Sequence, residues 1–145
     1  MSQENVEIVR RCAEAMNTRD LSDELPPALL ELIDPAVELD LSRNVFNPDI
    51  YRGHSGVERW RNAVTDVWES FHGELEELID AGDKVVSAVM MRGKGKGSGV
   101  DVEMRVFQVW TVRDSKVVRL VGGYRDHSEA LEAAGLSGQR DHADS

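Results

Sequence analysis

Residues 106–126 read VFQVWTVRDSKVVRLVGGYRD, two apolar runs that alternate with other residues and are hinged at Asp114-Ser115. Alternation at period two predicts strands, and a short polar hinge between them predicts an antiparallel pair. In the first run Met104, Val106, Gln108 and Trp110 share one face, and Arg105, Phe107, Val109 and Thr111 share the other. In the second, Leu120, Gly122 and Tyr124 alternate on the face that corresponds to Trp110. Working back along the chain, residues 73–80 and 84–94 alternate too, so four sequential strands (73–80, 84–94, 100–113 and 116–125) predict a meander. The stretch RGKGKGSG at 92–99 lacks the G-x-x-x-x-G-K-[ST] spacing of a phosphate loop and is best explained as a hairpin end with solvated lysines.

The first half is helical in pattern. Ser2 can cap a helix over roughly 3–18, where Val6, Val9, Ala13 and Met16 make one stripe with Cys12 beside them. Pro26 and Pro27 open a short second helix through Leu29, Leu30, Leu32 and Ile33, ended before Pro35. In 36–41 Val37, Leu39 and Leu41 fall on one face of a strand and Ala36, Glu38 and Asp40 on the other, followed by a loop over 42–53. Ser55 and Glu58 form a capping box ahead of Val57, Trp60, Val64, Val67, Trp68 and Phe71, the most apolar helical stripe. Asp126 and Glu129 open a last short helix that Gly135 stops. Residues 137–145 have nothing to bury and are expected to be disordered, which leaves 1–136 as one domain. Helices followed by strands imply an α+β fold, with helices packed on one face of a single curved antiparallel sheet.

Composition narrows the partners. The 145 residues are 41% hydrophobic and 30% charged, the range of a single globular domain. Twenty-seven acidic against 17 basic residues give a charge of −10, which repels nucleic-acid phosphates and anionic membrane surfaces alike. The polar start MSQENVEIVRR and the lack of any apolar run of ~18 residues predict a cytosolic protein. A single cysteine excludes an internal disulfide, and His54, His72, His127 and His142 show no metal-ligand spacing, so neither metal nor cofactor is expected.

Four stretches, VEIVRRCAEAMNTRDL (6–21), LLELIDPAVELD (29–40), YRGHSGVERW (51–60), and 106–126 followed by SEALEAAGL (128–136), resemble the SnoaL-like branch of the nuclear transport factor 2-like superfamily. That superfamily includes ketosteroid isomerases, SnoaL-like polyketide cyclases, limonene epoxide hydrolases and scytalone dehydratases. The resemblance implies a cone-shaped α+β fold whose N-terminal helices pack on the concave face of one curved antiparallel sheet. It also implies a deep apolar pocket for a small apolar ligand, and a homodimer through the other sheet face. It assigns no reaction, because the fold hosts isomerases, dehydratases, hydrolases, cyclases and non-catalytic proteins.

By this resemblance Asp40 matches the place from which ketosteroid isomerases project their general base, and apolar walls there would raise its pKa toward a useful range. Gln108 stands where those enzymes carry a protonated aspartate and Cys12 where they carry a tyrosine; both are weaker oxyanion donors, so steroid isomerisation is not expected. Gln108 needs partners for its amide, which a ligand oxygen, Tyr124 or a buried water could supply. Asp40, Gln108 and Tyr124 are the expected reacting set, lined by Cys12, Met16, His54, Trp60, Met104, Val106, Trp110 and Gly122. Each has a plainer reading: Asp40 as a rim residue paired with Arg43, His54 as a surface turn residue, Cys12 as small core. Asp101, Arg105 and Asp126 supply the residue types of an epoxide-hydrolase triad without its spacing. Two functions follow: a cofactor-independent isomerase, cyclase or dehydratase using Asp40, or a non-catalytic ligand-binding or dimerisation module.

Overall fold

The computed structural model describes residues 2–17, 27–43, 48–124 and 126–136. The side chain of Met16, residues 44–47 of the expected loop and the expected 137–145 tail lie outside the described residues. Helix α1 (Ser2–Asn17) buries Val9 and Ala13 of the expected stripe with Cys12 beside them, but Ile8, which the spacing does not place on that stripe, is buried too, while Val6 is only half-buried. Asn5 Nδ2 donates to Gly82 O at 3.0 Å and pins that helix to a strand turn. Helix α2 (Pro27–Glu31) is a single turn with Leu29 buried.

Strand β1 (Ile33–Asp40) starts earlier than expected and contains Pro35. Asp34 Oδ1 accepts the Ala36 N–H at 2.7 Å, and pairing with the last strand slips between Ile33 and Glu38. The proline therefore occupies an irregular stretch in which its missing N–H breaks no ladder bond. Strand β2 (Ile50–Arg52) lies inside the expected loop and pairs antiparallel with β1.

Helix α3 (Gly53–Val67) begins ahead of the predicted Ser55 cap and stops at Val67. Trp68 and Phe71, expected on its stripe, belong instead to strand β3 (Trp68–Ala81). Helix runs into strand without an intervening turn, so an apolar pattern started at helical spacing finishes at strand spacing. Strands β4 (Lys84–Gly95), β5 (Asp101–Arg113) and β6 (Lys116–Tyr124) complete the meander, and helix α4 (His127–Ala133) follows. Asp126 caps α4, its Oδ1 accepting the Ser128 N–H at 2.8 Å, and Gly135 at φ 87° lies just past its end. Lys94 and Lys96 are exposed at the β4–β5 hairpin.

The fold is α+β as expected, with one six-stranded sheet in the order β2-β1-β6-β5-β4-β3. Every neighbouring pair is antiparallel except β1 and β6, which run parallel. Leu39, Leu120, Trp110 and Val85 lie side by side across four strands on the inner face, which α1, α2 and α3 cover. Ala130 and Ala134, from α4 and its C-cap, pack on the outer face over Val86, Ala88, Phe107, Val109 and Tyr124.

A bulge decides which face Tyr124 joins. Phe107 pairs with Tyr124 but Val109 pairs with Val121, so Gly122 and Gly123 together oppose Gln108. Gly123 takes φ 88°, a conformation a side chain would disfavour. The extra residue turns Tyr124 outward, where the Arg43 guanidinium sits 4.5 Å from its ring centre. The predicted sharing of a face by Leu120, Gly122 and Tyr124 fails at this point.

Gly56 in the first turns of α3 is tight for a different reason, since a Cβ there would lie 2.9 Å from the Tyr51 carbonyl carbon. On an unconstrained helix Gly→Ala would stabilise by about 1 kcal/mol. Here backbone meets backbone, so Gly56→Ala should destabilise by about 1–3 kcal/mol, readable as a lowered urea midpoint with unchanged slope.

Candidate functional site

The inner face carries a buried apolar cluster towards each end, with half-buried side chains between them. At one end Val85, Trp110 and Leu120 are buried under the helices. At the other, Trp68 packs with Val64, against which Trp60, Phe71 and Val102 lie half-buried. Between them run three cross-strand rows: Gln108 beside Ser87 and Leu78, Val106 beside Val89 and Leu75, and Met104 beside Met91 and Gly73. Gln108, Val106, Met104 and Met91 are only half-buried, whereas Ser87 and Val89 behind them are fully buried.

Gln108 is held by a directional chain. Trp110 Nε1–H donates to Ser87 Oγ at 2.8 Å, and Ser87 Oγ–H donates to Gln108 Oε1 at 2.8 Å. An indole nitrogen can only donate, so the serine oxygen accepts and its single proton goes on to the glutamine carbonyl. The chain ends on Gln108 Nε2, whose two N–H groups have no protein partner among the described residues. Tyr124, one of the partners expected for Gln108, is turned to the other face, and the Gln108 carbonyl is taken instead by Ser87, which the sequence reading does not single out. Its signal was a lone serine inside the apolar run VVSAVMM at 85–91.

Asp40 lies elsewhere, which corrects the expectation of a base in the cone. It pairs across from Val121 while Leu39 pairs with Leu120, so strand alternation sends Asp40 to the outer side. Ser42 Oγ–H donates to Asp40 Oδ1 at 2.6 Å, Ser42 N–H to the same oxygen at 3.1 Å, and Arg119 Nη2 stands 3.5 Å from Oδ2. The Ser42 hydroxyl above all, with its backbone N–H and Arg119, outweighs partial burial and holds the carboxyl below its ordinary value of 3.8. The expected upward shift is reversed, because a carboxylate already supplied with donors is stabilised in its charged form. Its partner is Arg119; Arg43 instead pairs with Glu129.

The remaining expected residues are dispersed. His54 Nε2–H donates to Ile33 O at 2.8 Å, clamping α3 to the start of β1. Cys12 is fully buried in the inner core, and burial pushes its thiol up to about 12. Trp60 is half-buried and bridges the two inner clusters, and Gly122 lies in the bulge opposite Gln108. Arg105 is paired with Glu76 at 2.7 Å and Asp126 caps α4, so the epoxide-hydrolase residue types serve separate ends. On the outer face a hollow of about 300 Å³ is lined by His72, Arg92, Asp101 and Glu103 among others, but Arg92 is committed to Glu103 at 2.7 Å and Glu74 at 3.1 Å. Among the described residues no three potential ligands cluster for a metal, and no helix is long and apolar enough to cross a membrane.

Residues 9–120 match the SnoaL-like domain. No protein of curated function is significantly similar to the chain. Among solved structures, a nuclear transport factor 2-like protein from Burkholderia thailandensis E264 is 26% identical, with TM-score 0.68, over 90% of this chain and 95% of its own. A protein from Jannaschia sp. CCS1 assigned to the SnoaL-like polyketide cyclases is 17% identical, with TM-score 0.66, over 93% and 92%. TerC, co-crystallised with polyporic acid, is 20% identical, with TM-score 0.67, over 91% and 98%.

Two outcomes follow from these environments. Asp40 should stabilise the fold at neutral pH by on the order of 1 kcal/mol, a contribution lost as pH falls below its ordinary value and through its lower folded value. Denaturation curves of Asp40→Asn and the unsubstituted protein should therefore differ at neutral pH and draw together as the solution is made more acidic. Cys12 should resist alkylation by iodoacetamide in the folded protein and react readily in urea, which mass spectrometry would resolve.

Proposed function

Since the chain belongs to the SnoaL-like domain family, we propose that it binds a small, mainly apolar molecule on the inner sheet face, with Gln108 Nε2 donating to a ligand oxygen. The observation that carries this reading is the half-buried amide beside Met104 and Val106, whose carbonyl is occupied by Ser87 and whose N–H groups have no partner among the described residues. A partly desolvated donor pair among apolar side chains gains most from a partner that brings both an acceptor and apolar surface. Met104, Val106, Met91 and Gly122 would supply the walls. TerC, which shares the fold, is co-crystallised with a small molecule, polyporic acid.

Asp40 takes no part in this reading. A carboxylate stabilised by Ser42 and Arg119 is a poor proton acceptor, and it is on the other side of the sheet from Gln108. The expected homodimer through the outer face and the cytosolic setting are kept as part of the proposal, and sedimentation would report the former.

A bicyclic aromatic ketone, 1-tetralone, is a suitable probe. Its addition should move the side-chain amide resonance of Gln108 in ¹⁵N–¹H spectra. Gln108→Leu should weaken binding about fivefold or more, the loss of one hydrogen bond, while Asp40→Asn leaves it unchanged. Binding that bypasses Gln108, or that depends on Asp40, would overturn the assignment.

A further inference from the structure

We propose that Ser87 is a specificity-determining positioning residue. It locks the Gln108 amide so that the site presents donors only, and so selects a ligand whose polar group is a carbonyl oxygen over one whose polar group can only donate. The inference rests on the ligand reading above and gives it a direction.

An isolated glutamine is indifferent, because rotating its amide by half a turn exchanges carbonyl for amine at little cost. Here the exchange is blocked from behind. With the amide inverted, Ser87 Oγ would accept from both Trp110 and Gln108, and the serine proton would have no acceptor among the described residues. Ser87 is fully buried, so water does not readily relieve that proton either. The single serine proton thus fixes the amide, while the Trp110 N–H fills the back of the same hydroxyl.

The test compares two probes on one bicyclic frame: 1-tetralone, whose carbonyl accepts, and 1,2,3,4-tetrahydroquinoline, whose N–H donates and whose lone pair is delocalised into the ring. The unsubstituted protein should prefer the ketone by about tenfold. Ser87→Ala, which removes the hydroxyl proton that fixes the amide, should bring the two affinities to within about twofold while both probes still shift the Gln108 amide resonance. The double variant Trp110→Phe/Ser87→Ala, which leaves no indole N–H without an acceptor, should do the same and serves if Ser87→Ala alone does not fold. A ketone preference absent from the unsubstituted protein, or surviving in the folded variants, overturns the inference while leaving the ligand reading intact. Failure of both probes to reach Gln108 in the unsubstituted protein overturns the ligand reading and the inference with it.

Discussion

A buried indole N–H left without an acceptor costs about 1–3 kcal/mol, enough to matter in a domain of this size. Trp110, buried at one end of the inner face, meets that requirement through Ser87, the one buried polar residue among the described residues. Ser87 in turn needs an outlet for its proton and finds it in Gln108 on the adjacent strand. A packing demand is thereby converted into a chemical one, since the far end of the chain is a partly open amide with its donors outward. The aromatic core and the candidate site are physically one network, which gives the site its preorganisation.

Which side of the sheet a residue occupies depends on the register of every strand before and after it. In β6 the two glycines opposite Gln108 insert one residue and send Tyr124 to the α4 side. In β3 the pairing slips between Leu75 and Glu77, so Leu75 and Leu78 both reach the inner core despite odd spacing. Bulges of this kind act at a distance along the strand, because one added residue reverses all the alternation that follows. Asp40 needs no bulge to be displaced; simple alternation with Leu39 puts it outside, where Ser42 and Arg119 hold it ionised.

Families built on this fold support unrelated chemistries, so membership alone carries no reaction. The described middle of the inner face offers apolar walls with Ser87 and Gln108 as its polar groups, and the carboxylate and imidazole that looked available in sequence hold turns and helices together instead. The outer face divides between the α4 cluster and exposed ion pairs of arginine with glutamate. Charge and apolar surface are thus sorted by face, with the candidate ligand surface on the side that the helices cover.

Local periodicity alone determined the α+β class, the four-strand meander, the stripe of α1 and the Asp126 cap, because each depends on residues within a few positions of one another. It also brought Gln108, Trp110, Met104 and Val106 onto one face, since a single regular strand holds them all. Tertiary structure decided the parallel pairing of β1 with β6, the transfer of Trp68 and Phe71 from helix to strand, the outward turn of Tyr124 and the partner of Gln108. These are settled by hydrogen-bond satisfaction between segments far apart in the chain: Ser87 lies 21 positions from Gln108 and 23 from Trp110, a separation that no periodicity of either segment encodes.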